Sequence, residues 1–278
     1  MKKLLCIATL LFPMCSLMAQ NTLIYKAQEK LDENKFDEAW AAIEPALTSG
    51  KTKNLAGAYN IAGVVQGKIL SAEITKAAQK QPLDTMKFIN ALDKAVEFFE
   101  KSYKLDNAPD EKGKIKPKYN SNAEAPFQSN SKMISQMMNY YAYAGQFLNA
   151  NGNQKGAYDA FEKFIEMPKS FVFTKQETDS IYKANAEEYY TVAFYATLLG
   201  YQAKDYDRAL KHIDFALQDT AQKNKNDLYF IKAQSLLQKK DTAAWVKCAT
   251  EAITALPNNT QFVQNLLFYY NLKHLDNE

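Results

Sequence analysis

The sequence predicts an all-α fold, and three observations predict it. Glycine and proline are sparse, 9 and 8 in 278 residues, so long stretches contain no residue that breaks a helix. Apolar residues recur three and four apart, as in Leu210, Ile213, Phe215 and Leu217, which places them on one helical face. Strand-like alternation is nearly absent, Ser170-Phe171-Val172-Phe173-Thr174 being the exception.

Taken in order, the chain opens on an address rather than a structural element. Lys2 and Lys3 precede an apolar run of 15 residues, Leu4 to Met18, and then Ala19-Gln20. A basic start, an apolar middle and a small exit residue read as residues 1–19 of a cleavable secretory signal, cut after Ala19. The run is shorter than the roughly 20 residues that a membrane helix needs, and Pro13 interrupts it. Lipidation at Cys15 or Cys6 is the alternative, but Met14 and Leu5 are poor residues to precede a lipidated cysteine. With the signal removed, the mature product is expected to be soluble and exported, either periplasmic or secreted and outer-membrane associated, with no transmembrane segment. Cys248 is then its single thiol, so packing and not a disulfide must hold it together.

Composition narrows the function classes. Lys plus Arg total 34 against 31 Asp plus Glu, and Arg208 is the one arginine. A near-neutral chain without arginine forks lacks the means to read phosphates or base edges, so no nucleic-acid partner is expected.

The remaining elements pair into helical hairpins. Ala27 is on a first helix, followed by Lys35-Phe36-Asp37-Glu38-Ala39 with Ile43 and Ala46 on a second. Tyr59-Asn60-Ile61-Ala62-Gly63 opens another pair, which Ala95, Phe99 and Ser102 close. Tyr141, Gly145 and Leu148 pair with Ala157, Phe161 and Phe164, and Pro168 follows near the exit. Ala193 and Ala196 pair with Ala209, Ile213 and Ala216 across the turn Asp205-Tyr206-Asp207. Tyr229, Ala233 and Leu236 precede Trp245, Ala249, Ala252 and Pro257. Val263, Leu266, Leu267 and Tyr270 form a lone closing helix, whose Leu266, Leu267 and Tyr270 would leave a face open to another subunit. Small residues at the crossing let two helices approach closely, and large ones fill the space beside them.

Large-to-small spacing on a first helix, small-large-small on a second and a proline at the exit together resemble the 34-residue tetratricopeptide repeat. The resemblance covers nearly all of residues 20–275. It implies a right-handed α-α superhelix, a solenoid of about five antiparallel hairpins plus a closing helix. The organisation expected is a signal at 1–19, repeats 1–2 at 20–106, a surface insert at 107–131, and repeats 3–5 with the closing helix at 132–278. About 20 extra residues around Lys68 to Lys87 predict two elongated helices in the second repeat. The 107–131 insert carries Pro109, Pro117 and Pro126, and Met167 to Ala184 is a second insert.

Catalytic and metal chemistry finds little material, so the chain is read as no enzyme and as holding no cofactor. Ser49-Gly50-Lys51-Thr52 imitates the end of a phosphate-binding loop, but Pro45 stands where its first glycine belongs, so an inter-repeat turn is expected. His212 and His274 are in no metal-ligand spacing, and His212 is expected at an exposed or rim position. Cys248 reads as a partly packed thiol, Glu187-Glu188 as helix-surface charges, and Asp205 with Asp207 as residues flanking a turn. Asp84-Thr85-Met86, Asp179-Ser180-Ile181, Asp219-Thr220-Ala221 and Asp241-Thr242-Ala243 resemble an O-glycosylation acceptor of exported Gram-negative proteins. Asp-Thr and Asp-Ser are also ordinary helix starts, and three of the four are expected to precede helices.

The repeat resemblance implies one further site. First-helix positions 2, 5, 9, 12 and 13 line the concave face of such solenoids. Transferred here, they are Asn139, Gln146 and Asn149; Thr191, Phe194 and Tyr201; Asp227, Phe230, Gln234 and Gln238; and Gln261, Gln264, Phe268 and Asn271. Members that clamp a C-terminal carboxylate use Lys, Arg and Asn there, and Lys and Arg are missing. Amides that donate and accept, set among aromatics, suit an extended peptide backbone. The expectation is a non-catalytic scaffold of the bacterial envelope that binds a protein segment. The alternative, a glycan-binding module of a nutrient-uptake assembly, uses the same chemistry; similar helical repeats occur in starch-binding outer-membrane lipoproteins, which are longer and lipidated.

Overall fold

The computed structural model describes residues 22–120, 123–221 and 224–275, with side-chain environments to residue 272. The expected signal at 1–19 lies outside the described residues. Among these residues the fold is all-helical, without a strand, and no helix is long and apolar enough to cross a membrane. The chain forms two compact units, one running to Tyr141 with Ser170–Thr174, the other comprising Ala142–Lys169 and the chain from Lys175.

The first unit holds α1 (22–32), α2 (Phe36–Thr48), α3 (Leu55–Ala78), α4 (Thr85–Asp106) and the first half of α5 (Asn130–Ala150). Ile24, Ala27 and Leu31 of α1 and Ala39, Ile43 and Ala46 of α2 are buried. The longest helix, α3, has 24 residues and is buried around most of its circumference from Gly57 to Gly67, as befits a helix packed on several sides. Its neighbour α4 has 22 residues and is amphipathic, burying Phe88, Leu92, Ala95 and Phe99. A Cβ on Gly63 would lie 2.9 Å from the Phe99 ring, so glycine is what lets α3 and α4 approach.

The 107–131 segment departs from a plain surface loop. Residues 108–118 are exposed, but Tyr119, Ser129 and Asn130 are buried. The Asp106 carboxylate accepts from the Lys118 backbone N–H at 2.9 Å and from that of Tyr119 at 2.7 Å. Buried Asn60 of α3 accepts from the Gln128 N–H (2.9 Å) and donates to the Gln128 carbonyl (2.7 Å) and to Asn130 Oδ1 (2.8 Å). Helix α5 starts at Asn130, so Asn130 and Ser131 belong to a helix and not to the insert. The alternating Ser170–Thr174 forms a turn: Val172 is buried, and exposed Phe171 meets Tyr103 edge to face at 5.9 Å.

The second unit holds the rest of α5, then α6 (Gln154–Glu166), a 3-10 turn (Met167–Lys169), α7 (Lys175–Ala184), α8 (Ala186–Gln202), α9 (Tyr206–Lys211), α10 (Ile213–Ala216), α11 (Lys225–Gln238), α12 (Thr242–Ala255) and α13 (Gln261–Leu275). One turn recurs between paired helices. A left-handed residue ends the first helix: Gly152, Lys204 or Lys240. Asn153, Asp205 or Asp241 then caps the next, its side chain accepting from an N–H three residues on. The cap residue's own N–H returns to the carbonyl five residues earlier, at 2.9–3.0 Å. This turn satisfies groups at both helix ends and sets the hairpin angle each time. Asn34 and Lys80 of the first unit share the left-handed geometry.

Two expectations about packing are corrected here. His212 is no rim residue: it is 4% exposed and interrupts the helix between α9 and α10. Its ring sits 3.8 Å from Glu162 and 3.7 Å from Glu166. In α13 the residues on the core are Phe262, Leu266 and Tyr269, whereas Val263, Leu267 and Tyr270 are exposed.

Candidate functional site

The residues named for partner binding fall on α5, α8 and α11, each the first helix of a pair, and on α13. Gln146, Asn149, Thr191, Asp227, Phe230, Gln238, Gln261, Gln264, Phe268 and Asn271 are exposed, and Phe194, Tyr201 and Gln234 are half-buried. Helices bury what packs between them, so polar and aromatic residues at these spacings stay accessible while Val192, Ala196, Leu199, Ala233 and Leu236 on the other faces are buried. Asn139 is exposed too, and it belongs to the first unit.

Some of these residues are brought together. Helix α8 packs on α11, and the rings of Tyr201 and Phe230 meet edge to face at 6.5 Å. Phe194 shares a small recess with Thr191, Tyr190 and Leu228. Gln264 borders a broad polar hollow with Asn226 and the 255–261 connection, where Asn259 donates to Asn226 at 3.3 Å. Phe268 is 66% exposed.

An open cleft on α8 contains a residue that the spacing did not single out. About 470 Å³ in volume, it is lined by Gln146, Phe161, residues 184–188, Thr191, Val192 and Tyr195. Tyr195 stacks on Phe161 at 6.3 Å with 29° between planes, and remains 48% exposed. Its place directly after Phe194 was the available signal; the distant Phe161 contact was not. Glu187 and Glu188 stand in the first turn of α8, where the helix dipole favours carboxylates. Ring face, amide, hydroxyl and carboxylates together offer stacking and hydrogen-bond acceptors, with no cation among the lining residues.

The remaining candidates have structural roles. Residues 49–52 form the turn between α2 and α3, where the Thr52 hydroxyl donates to the Ala46 carbonyl at 2.6 Å. Cys248 is 1% exposed, and burial pushes its thiol up to about 11. Desolvation lowers the His212 pKa from its ordinary 6.5, against the opposing pull of Glu166 and Glu162. Asp205 caps α9, and Asp207 pairs with Lys239. Asp84 and Asp241 are N-caps of α4 and α12, and Asp219 makes a turn with Ala221. Asp179, by contrast, lies inside α7 and starts no helix. Arg208 pairs with Asp159 at 3.0 Å and covers the Tyr158 ring at 4.5 Å. Among the described residues no group of three His, Cys, Asp or Glu side chains gathers as a metal site needs.

No protein-family model matches the chain, and no curated protein matches it in sequence.

Proposed function

We propose that this chain is an exported, non-catalytic interaction scaffold, a divergent tetratricopeptide-like solenoid that binds an extended protein segment along the row formed by α8, α11 and α13. The observation that carries the proposal is that the amides and aromatics named on α8, α11 and α13 are accessible or half-buried, with Tyr201 of α8 and Phe230 of α11 in ring contact. Neighbour-to-neighbour packing supports the solenoid reading. A second helix meets the next first helix in α2–α3, α6–α8 and α9–α11, α12 meets α13, and the same capped turn joins the pairs of the second unit. An extended peptide offers alternating donors and acceptors, which Gln234, Gln238, Gln264 and Asn271 match in either sense. The rings supply contact area at modest entropic cost.

The test is capture of partners from an envelope extract by the wild-type chain and by a Phe194→Ala/Phe230→Ala/Phe268→Ala variant. Loss of a reproducible protein partner with unchanged helicity supports the groove, and unchanged capture rejects it. Export is tested by N-terminal sequencing of the processed protein, expected to begin at Gln20.

The cleft beside Tyr195 favours a second reading, a glycan-binding module. A ring face beside Gln146, Thr191, Glu187 and Glu188 suits sugar hydroxyls as well as it suits peptide. Binding on a glycan array that disappears with Tyr195→Ala and survives the triple groove variant would select that reading.

A further inference from the structure

We infer that the cleft beside Tyr195 receives an arginine side chain of the bound segment, its guanidinium lying on the Tyr195 ring and donating to Glu187 and Glu188. The inference rests on the proposed reading of the partner as a protein segment and names what that segment carries. Every residue lining the cleft belongs to the second unit, and its volume of about 470 Å³ is in the range of ligand clefts.

Charge selects the class of occupant. Glu187 and Glu188 are exposed carboxylates in the first turn of α8, and no Lys, Arg or His lines the cleft. The N-terminal end of α8 contributes about half a positive charge, which two carboxylates outweigh. The cleft is therefore negative: it repels a carboxylate or phosphate and attracts a cation. A neutral sugar would leave both charges uncompensated.

The ring selects arginine among cations. Tyr195 is 48% exposed, and its stack on Phe161, itself 3% exposed, holds the ring in place. A cation over a ring already held gains the electrostatic attraction of the ring face without ordering a loose side chain. A guanidinium lies flat on a ring and still presents N–H donors around its edge, here to the two carboxylates and the Gln146 amide oxygen; an ammonium is a single point charge. The second unit already holds one guanidinium in this way. Arg208 covers the Tyr158 ring at 4.5 Å and pairs with Asp159 at 3.0 Å and Asp205 at 3.4 Å. Arg208 is also the one arginine of the chain, so a guanidinium for Tyr195 comes from another molecule. Position ties the cleft to the row: Thr191 borders both the cleft and the recess that contains Phe194. A segment lying on Phe194 passes the rim of the cleft and can send one long side chain into it.

The experiment is saturation-transfer difference NMR on the purified chain over a concentration series of Nα-acetyl-L-argininamide, with Nα-acetyl-L-norleucinamide as the uncharged control. Far-UV circular dichroism verifies the folding of each variant. The argininamide side chain is expected to bind above the control. Glu187→Gln/Glu188→Gln is expected to raise its dissociation constant about five- to tenfold, Tyr195→Ala to weaken it as well, and the Phe194→Ala/Phe230→Ala/Phe268→Ala variant to leave it unchanged. Equal binding of norleucinamide overturns the inference, as does argininamide binding that the glutamine pair leaves intact or that the triple variant abolishes. Tighter binding of free L-arginine than of the blocked residue overturns it too, because a small molecule and not a segment would then fit the cleft. The probe is a single residue, so its result is separable from capture of a partner. Capture without argininamide binding overturns the arginine site alone; argininamide binding without any captured segment supports the site and overturns the segment reading.

Discussion

The ring of Phe161 fills the space that a side chain on Gly145 would occupy: a Cβ built there lies 2.3 Å from the nearest ring carbon. Phe161 is itself 3% exposed and stacked on Tyr195, so it has little room to retreat. Gly145→Ala gains helix propensity, roughly 0.5–1 kcal/mol, but overpacks the α5–α6 crossing, which costs about 1–3 kcal/mol. Net destabilisation is expected in urea unfolding, with partial recovery when Phe161→Leu is added. A stabilised Gly145→Ala protein would refute the close-approach account.

Asn60 should matter out of proportion to its size. It is fully buried and serves both the N–H and the carbonyl of Gln128. Asn60→Leu keeps the bulk but removes both part-buried hydrogen bonds to Gln128, at a cost of about 0.5–1.5 kcal/mol each. The segment 107–129 should then be cut faster in limited proteolysis while α3 and α4 stay protected. Unchanged cleavage would mean that Asp106 and the buried Tyr119 hold the segment without Asn60.

His212 gives stability a pH dependence. Burial lowers its pKa below 6.5, and the groups facing it are Glu162 and Glu166 of α6, Lys211 of its own helix and Lys169 of the 3-10 turn. Between the lowered folded value and the unfolded value near 6.5, the unfolded chain binds the extra proton. This contribution is therefore fully present above pH 6.5 and lost as pH falls through the folded pKa. Relative to His212→Gln, the wild type should lose unfolding free energy between pH 7 and pH 5. A parallel pH dependence of the two proteins would contradict this.

Cys248 should be inert in the folded chain. Its thiol is buried in the α11–α12 core and pushed up to about 11, so little thiolate exists at pH 8. Labelling by a thiol reagent should be slow in buffer and fast in denaturant. Rapid labelling of folded protein would show that the α11–α12 pair opens.

The legible parts of the molecule were those encoded by near neighbours. Gly63, Gly145 and Ala233 marked the crossings because a small residue between larger ones has one common use in paired helices. Asp205 and Asp241 marked helix starts because the cap bond reaches only three residues. Of the four aspartate-threonine or aspartate-serine pairs, Asp84 and Asp241 cap helices, one fewer than expected. A pair in a turn, as at Asp219, or inside a helix, as at Asp179, looks identical in a short window. His212 was misplaced for a related reason. Its neighbours Ala209 and Ile213 indicate a packed helix, but nothing within reach in sequence shows that Glu162 and Glu166, some 50 residues earlier, face the ring.

By itself, then, the sequence determined the helical class and the small residues at the helix crossings. Periodicity, caps and left-handed turns all act within a few residues and carry their own physical cause. Tertiary structure alone decided which accessible residues meet. It stacked Tyr195 on Phe161, brought Tyr201 to Phe230, tied Asn60 to a segment 68 residues away, and left one stripe of α13 open while closing its equivalent on α11. These outcomes depend on how helices cross and how closely they approach. A shift of one residue in the packed face, as between Val263 and Phe262, changes which side chains are available to a partner.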